Sequence, residues 1–225
     1  MDIYIDTANL DEIKQAADMG VLDGVTTNPS LIGKEGSVDL HRHLEAICTI
    51  VKGPVSAEVV ATDFEGMMAQ AQVLAAIAPN ITIKLPCIEA GIRACKALSD
   101  RGVRTNMTLC FQPLQALVAA KAGAFLISPF VGRIDDVGGD GMELIQQIRQ
   151  IYDNFGFQTK ILTASIRHPQ HMVQAAMIGS DVATCPFKVI QQVTRHPLTD
   201  IGLKKFIDDW KKSGVALPNS QAAMA

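Results

Sequence analysis

The chain has 225 residues, 48% of them hydrophobic, enough for one large core, and a single domain is expected because α/β barrels commonly run this long undivided. Its formal net charge of −3, without a cluster of lysines and arginines interleaved with aromatics, argues against nucleic acid or acidic membrane as a partner. Five cysteines, Cys48, Cys87, Cys95, Cys110 and Cys185, are odd in number and lack C-x-x-C spacing, which fits free thiols in a reducing cytoplasm rather than a disulfide framework or zinc site.

The opening Met1-Asp2-Ile3 leads directly into strand-like sequence without a basic region and apolar block, so no signal peptide is expected. From there, short β-branched runs alternate with amphipathic helical stretches. The pattern predicts strand Ile3–Asp6, helix Leu10–Met19, strand Gly24–Thr27, helix Val38–Ile50, strand Val55–Val60 and helix Thr62–Ala78. It continues with strand Ile81–Leu85, helix Glu89–Asp100, strand Arg104–Leu109, helix Gln112–Ala122, strand Phe125–Phe130 and helix Gly141–Phe155. Strand Lys160–Ser165, helix Pro169–Ile178, strand Asp181–Cys185 and helix Lys188–Arg195 complete the series. Thr62-x-x-Glu65 reads as a capping box, and Gly20, Gly102, Gly123, Gly156 and Gly179 fall at helix exits. Apolar runs such as Val73–Ala78 are far below the roughly 20 residues a membrane helix needs.

Unbroken β-α alternation implies a parallel sheet, and eight units close a (β/α)8 barrel. An open doubly wound sheet is the alternative, but no G-x-G-x-x-G follows the first strand. The barrel is assigned to residues 1–195. Residues 196–225 form a C-terminal helical arm and tail, with Leu203, Phe206, Ile207 and Trp210 on one helical face and a small, polar, fraying end from Gly214. Two readings of the arm stand: a helix folded over its own barrel, or one docked on a neighbouring subunit.

In such a barrel, side chains at the C-terminal ends of the strands converge on one mouth. Here those ends carry Asp6, Asn28, Glu58, Lys84, Asn106 with Thr108, Ser128, and Ser165 with Arg167. Each alone reads as a capping or solvated polar group. As a set they are unexpected, because barrel interiors are normally filled by branched apolar residues. Within Asn80-Ile-Thr-Ile-Lys-Leu-Pro-Cys87, Lys84 interrupts a strand pattern where an ammonium is costly to desolvate. Burial favours a free amine able to attack a carbonyl, and the resulting Schiff base is an electron sink that needs neither metal nor organic cofactor. A structural lysine paired with Glu58 or Asp6 is the competing reading. The two carboxylates suit proton transfer around such a reaction.

Ala164-Ser-Ile-Arg-His-Pro169 supplies a hydroxyl and a guanidinium just before a helix start, and Arg133 in Ser128-Pro-Phe-Val-Gly-Arg-Ile-Asp135 could close on the same anion, as a phosphate site requires. His41-x-His43 and His168-x-x-His171 lack a third metal ligand and are read as surface or capping residues. Gly138-Gly-Asp-Gly141 lacks the Lys-Ser/Thr of a P-loop and is read as a flexible βα loop. The nine methionines are dispersed and fill core.

These blocks, in order and over essentially the whole chain, resemble the small transaldolases, which share their fold with fructose-6-phosphate aldolases. The resemblance runs through Asp6-Thr-Ala-Asn9, Gly24-Val-Thr-Thr-Asn-Pro-Ser30, Ser56-Ala-Glu-Val-Val60, Ile83-Lys-Leu-Pro86, Thr105-Asn-Met-Thr108, Ser128–Asp135 and Ala164–Pro169. It implies that Lys84 forms a Schiff base with a ketose phosphate and holds a dihydroxyacetone unit for transfer between glyceraldehyde 3-phosphate and erythrose 4-phosphate, a step of the non-oxidative pentose phosphate pathway. By the same resemblance Asp6 is the acid/base, Glu58 and Thr108 position water, Asn28, Asn106 and Ser128 hold the dihydroxyacetone hydroxyls, and Arg133, Ser165 and Arg167 hold the phosphate. No cofactor and no metal are implied. A cytoplasmic homo-oligomer, a pentamer or decamer, is. The aldolase relatives carry glutamine where Glu58 stands, tyrosine where Phe130 stands, and lack Asn106, so the resemblance favours transferase over lyase. The alternatives left open are a fructose-6-phosphate aldolase releasing dihydroxyacetone, and a barrel that only binds a phosphorylated ligand.

Overall fold

The computed structural model describes residues 1–215, so the expected fraying tail lies outside the described residues from position 216 onward. Eight parallel strands close into a barrel in sequence order, β1 pairing with both β2 and β8. In chain order the elements are β1 (Asp2–Asp6), α1 (Leu10–Asp18), β2 (Gly24–Thr26), α2 (Pro29–Lys34), α3 (Leu40–Ile50), β3 (Val55–Glu58), α4 (Phe64–Ala75), β4 (Ile81–Pro86) and α5 (Glu89–Ser99). They continue as β5 (Thr105–Cys110), α6 (Pro113–Lys121), β6 (Leu126–Pro129), α7 (Val131–Asp135), α8 (Gly141–Phe155), β7 (Lys160–Thr163), α9 (Pro169–Ile178), β8 (Val182–Cys185), α10 (Phe187–Val193) and α11 (Pro197–Ser213). The chain is thus a (β/α)8 TIM barrel with an additional C-terminal helix.

Local sequence accounts for the element ends, with some corrections. The box expected at Thr62 is displaced by one residue: Asp63 caps α4, its Oδ1 accepting the Gly66 N–H at 2.8 Å. Gly156 and Gly179 end α8 and α9 in the left-handed region, at φ 63° and 88°, as expected of helix-terminating glycines. Two short helices, α2 and α7, arise in βα connections to which the sequence pattern assigns no element; α2 starts where Asn28 caps Pro29 at the first helical position.

Most apolar side chains fill the layer between strands and helices, with Ile5, Ile83, Leu85 and Met107 among the fully buried ones. A second, smaller cluster of Tyr4, Leu126, Leu162, Ala164 and Val182 comes from β1, β6, β7 and β8 and the residue following β7. Burying side chains of this size contributes about 1.5–3 kcal/mol each, offset largely by chain entropy. In β5 the register shifts between Met107 and Cys110, and Leu109 takes φ 57°. Through this bulge Thr108 is buried while Leu109 is exposed.

The chain divides into two compact units, Met1–Ile190 and a second from Gln191 onward. In the second, α11 has no buried residue, and Leu203, Phe206, Ile207 and Trp210 are 58%, 71%, 45% and 44% exposed. No helix among the described residues is long and apolar enough to cross a membrane.

Candidate active site

The parallel register places Glu58, Lys84 and Asn106 in one row across β3, β4 and β5. The Lys84 side chain is 5% exposed, and its Nζ lies 3.0 Å from Glu58 Oε2 and donates to the Thr27 carbonyl at 3.0 Å. Of the two carboxylates considered as its partner, Glu58 is the one paired. The pair puts the amine in direct contact with a carboxylate able to exchange a proton with it.

Asn106 is fixed on both sides: its Nδ2 donates to Ser56 Oγ at 3.0 Å, and its Oδ1 accepts from Ser128 Oγ at 2.6 Å. Two serine hydroxyls thus hold the amide from β3 and β6. The buried Thr108 hydroxyl has no protein partner among the described residues, a group that desolvation makes costly unless something in the site bonds it.

Across the barrel, Asp6 ends β1 and its Oδ1 accepts from Thr26 Oγ1 at 2.7 Å. Thr26 Oγ1 is also 2.7 Å from Thr184 Oγ1. With the single Thr26 proton given to Asp6, Thr184 is the donor to Thr26, and a hydroxyl chain runs from β8 through β2 to the carboxylate. Sequence reading missed both threonines, because a β-branched residue in a strand already has a sufficient explanation. Their signal was position: each stands near the C-terminal end of its strand.

The remaining predicted groups lie on the β2–α2 and β7–α9 connections, at Phe130 between β6 and α7, and at Arg133 within α7. Asn28 is partly the capping residue that reading in isolation suggested, its Oδ1 accepting the Leu31 N–H at 3.0 Å, which leaves its amide nitrogen for a ligand. Arg133 lays its guanidinium over the Phe130 ring, 5.0 Å from the centroid, and Phe130 meets Phe111 edge-on at 5.8 Å. Arg167 pairs with Asp136, Nη2 to Oδ2 at 2.6 Å. Ser165 adopts φ 61°, the left-handed region unusual for serine. A Cβ on Gly132 would stand 2.1 Å from the Ser165 carbonyl oxygen, so only glycine lets α7 approach this turn.

Asp6, Asn28, Lys84, Ser128, Phe130, Arg133, Ser165 and Arg167 open into one cavity of about 190 Å³, with Thr26 and Thr184 also in its wall. Glu58, Asn106 and Thr108 lie outside that lining; the first two reach it through Lys84 and Ser128. Two set-aside histidines have structural contacts. His43 Nε2 donates to the Ala8 carbonyl at 2.7 Å, and His171, read as a surface or capping group, is only 4% exposed. Burial holds the His171 imidazole below its ordinary pKa, the His168 ring adding to the effect.

The geometry brings a buried lysine, the Asp6 carboxylate and two arginines around one small cavity. Comparison with known proteins gives it a context. A model of the transaldolase/fructose-6-phosphate aldolase family matches residues 3–217. A protein of Syntrophobacter fumaroxidans named a probable transaldolase is 54% identical over 215 residues, covering 94% of this chain and 97% of its own. One of Chlorobium limicola with the same name is 57% identical over 216 residues, covering 93% and 97%. Among solved structures, a putative fructose-1,6-biphosphate aldolase from Coccidioides immitis superposes with a TM-score of 0.56 at 16% identity, over 88% of this chain and 81% of that one, a likeness of fold.

Proposed function

The chain belongs to the transaldolase/fructose-6-phosphate aldolase family, and we propose that it is a cytoplasmic transaldolase. It takes a dihydroxyacetone unit from fructose 6-phosphate or sedoheptulose 7-phosphate and gives it to glyceraldehyde 3-phosphate or erythrose 4-phosphate through a Schiff base on Lys84. The observation that carries the reading is the buried Lys84 amine, in contact with Glu58 and facing the same cavity as Asp6, Arg133 and Arg167.

The steps balance on groups already described. Glu58 takes a proton from the Lys84 ammonium, and the amine adds to the keto carbon of the donor. Loss of water from the carbinolamine, with Glu58 and Thr108 holding that water, gives the protonated imine. Asp6 then removes the proton of the donor hydroxyl whose oxygen becomes the departing carbonyl. The carbon–carbon bond breaks, its electron pair moves into the imine, and an aldose phosphate leaves a lysine-bound enamine. The enamine carbon attacks the acceptor aldehyde, Asp6 returns its proton to the new alkoxide, and water hydrolyses the imine. Asn28 and Ser128 address the dihydroxyacetone hydroxyls, Asn106 acting through its bond to the Ser128 hydroxyl, while Arg133, Ser165 and Arg167 address the phosphate.

Transfer rather than release is favoured by Phe130, whose ring supports Arg133 and has no hydroxyl with which to protonate the enamine. The test is borohydride reduction in the presence of fructose 6-phosphate. A substrate-dependent, irreversible mass gain on Lys84 is expected; its absence would leave a barrel that only binds a phosphorylated ligand.

A further inference from the structure

We propose that His171, anchored by Asp135, is a positioning residue for the anion-binding turn Ser165–Arg167, its Nδ1 fixing the Arg167 backbone so that the Ser165 hydroxyl and the Arg167 guanidinium meet the substrate phosphate. The inference rests on the phosphate assignment made above.

The Arg167 N–H donates to His171 Nδ1 at 3.3 Å. An imidazole that accepts at Nδ1 carries its proton on Nε2, and Nε2 stands 2.9 Å from Asp135 Oδ2. The other oxygen of that carboxylate accepts the Gly141 N–H at 2.8 Å. Asp135 therefore joins the end of α7 to the first residue of α8 and, through His171, to the turn before α9. Both ring nitrogens are committed, and the tautomer is fixed by its neighbours.

The turn has reason to need this hold. Ser165 stands in the left-handed region, a conformation that persists only where the surroundings over-determine it. Close approach of Gly132 constrains it from one side, and the His171 acceptor constrains the chain two residues later. The same bond takes the Arg167 amide out of use as an anion donor and fixes the backbone from which the Ser165 hydroxyl and the Arg167 guanidinium project.

A merely buried histidine and a positioning one are separated by two substitutions. His171→Asn puts an amide oxygen where Nδ1 stands and keeps the acceptor for Arg167, whereas His171→Gln puts an amide nitrogen where Nε2 stands and keeps only the donor to Asp135. Calorimetric titration of the full-length variants with sulfate measures the anion site without turnover. Steady-state kinetics with fructose 6-phosphate separates KM from kcat. His171→Gln is expected to weaken sulfate binding and raise KM about tenfold, the loss of roughly one hydrogen bond, with kcat within about twofold. His171→Asn should stay within about threefold of wild type on both measures. Equal affinity in all three proteins, equal loss in both variants, or loss in His171→Asn alone overturns the inference. A wild type that binds no sulfate overturns the anion site together with it, whereas failure of Lys84 to trap substrate leaves the sulfate pattern to be read independently.

Discussion

The Lys84 amine and the Glu58 carboxylate lie 3.0 Å apart with their side chains 5% and 13% exposed, so neither charge can be removed alone without stranding the other. Lys84→Ala abolishes transfer in the mechanism above, and so does Lys84→Arg, because a guanidinium stays protonated. The pair adds a stability consequence. Leaving a buried carboxylate unpaired costs about 3–5 kcal/mol, whereas Lys84→Met with Glu58→Gln removes both charges and is near neutral. Denaturation should show Lys84→Ala well below wild type and the double variant largely restored; equal midpoints for all would mean that solvent already screens the pair.

Arg133 and Arg167 differ in their surroundings, one over the Phe130 ring and one paired with Asp136, and on the proposed function their removal should differ in size. Arg133→Ala and Arg167→Ala are each expected to raise KM for phosphorylated donors by about 1.5–3 kcal/mol in free energy while sparing dihydroxyacetone. Arg167→Ala is the more damaging, since it leaves the Asp136 carboxylate unneutralised beside the incoming dianion. Asp136→Asn should lower KM for the same reason. Equal effects on phosphorylated and free substrates would place the anion site elsewhere.

In the proposed mechanism Phe130 governs the partition between transfer and release. Wild type should form sedoheptulose 7-phosphate readily and split fructose 6-phosphate only slowly when no acceptor is present. Phe130→Tyr brings a hydroxyl to the mouth and should raise the ratio of released dihydroxyacetone to transferred product, with Glu58→Gln acting in the same direction. A wild-type ratio already dominated by release would assign the chain to the lyase side of its family, and an unchanged ratio in Phe130→Tyr would confine that ring to supporting Arg133.

His171 predicts a pH dependence of stability. It faces His168, Asp135 and Arg167, and desolvation, aided by His168 and Arg167, outweighs Asp135 in holding its pKa below the ordinary value of about 6.5. In the unfolded chain the ring protonates at about 6.5, in the folded one only at lower pH. Between those points the unfolded state binds more protons, so stability falls as pH falls from above about 6.5 toward the lowered folded value and is full above 6.5. Denaturant titrations at pH 8, 6.5 and 5 should show this decline in wild type and a shallower one in His171→Asn; parallel curves would mean that the imidazole titrates alike in both states.

The apolar face of α11 predicts assembly. Leu203, Phe206, Ile207 and Trp210 leave nearly half or more of each side chain exposed, which a chain of this size gains by covering. Closed rings, pentamers or paired pentamers, are expected, and deletion from His196 onward should lower the assembly state. Light scattering that shows a monomer at micromolar concentration would contradict this.

Repeating periodicity carried the barrel, because strand and helix each write their own spacing into the chain and eight repetitions reinforce one another. Single-residue events did not carry. Nothing in Thr105–Cys110 announces the bulge at Leu109, which is a matter of backbone torsion and register with β6. Strand ends located Asp6 and Lys84, since a charge in an apolar run calls for an explanation, while Thr26 and Thr184 already had one as strand formers. His171 was hidden differently: its partner Asp135 is 36 positions earlier on another element, a separation only the closed barrel brings within hydrogen-bond reach.

The seam of the barrel separates two parts of the site by the length of chain that joins them. Asp2 pairs with Val182, and the hydroxyl chain that orients Asp6 is completed by Thr184, so the first strand made waits for the last. Glu58 and Lys84 are joined by a much shorter loop, because β3 and β4 are neighbours in sequence as well as in space. The contact that holds the amine and the closure that holds the Asp6 carboxylate thus differ in the length of chain each must close, the second nearly the whole of it.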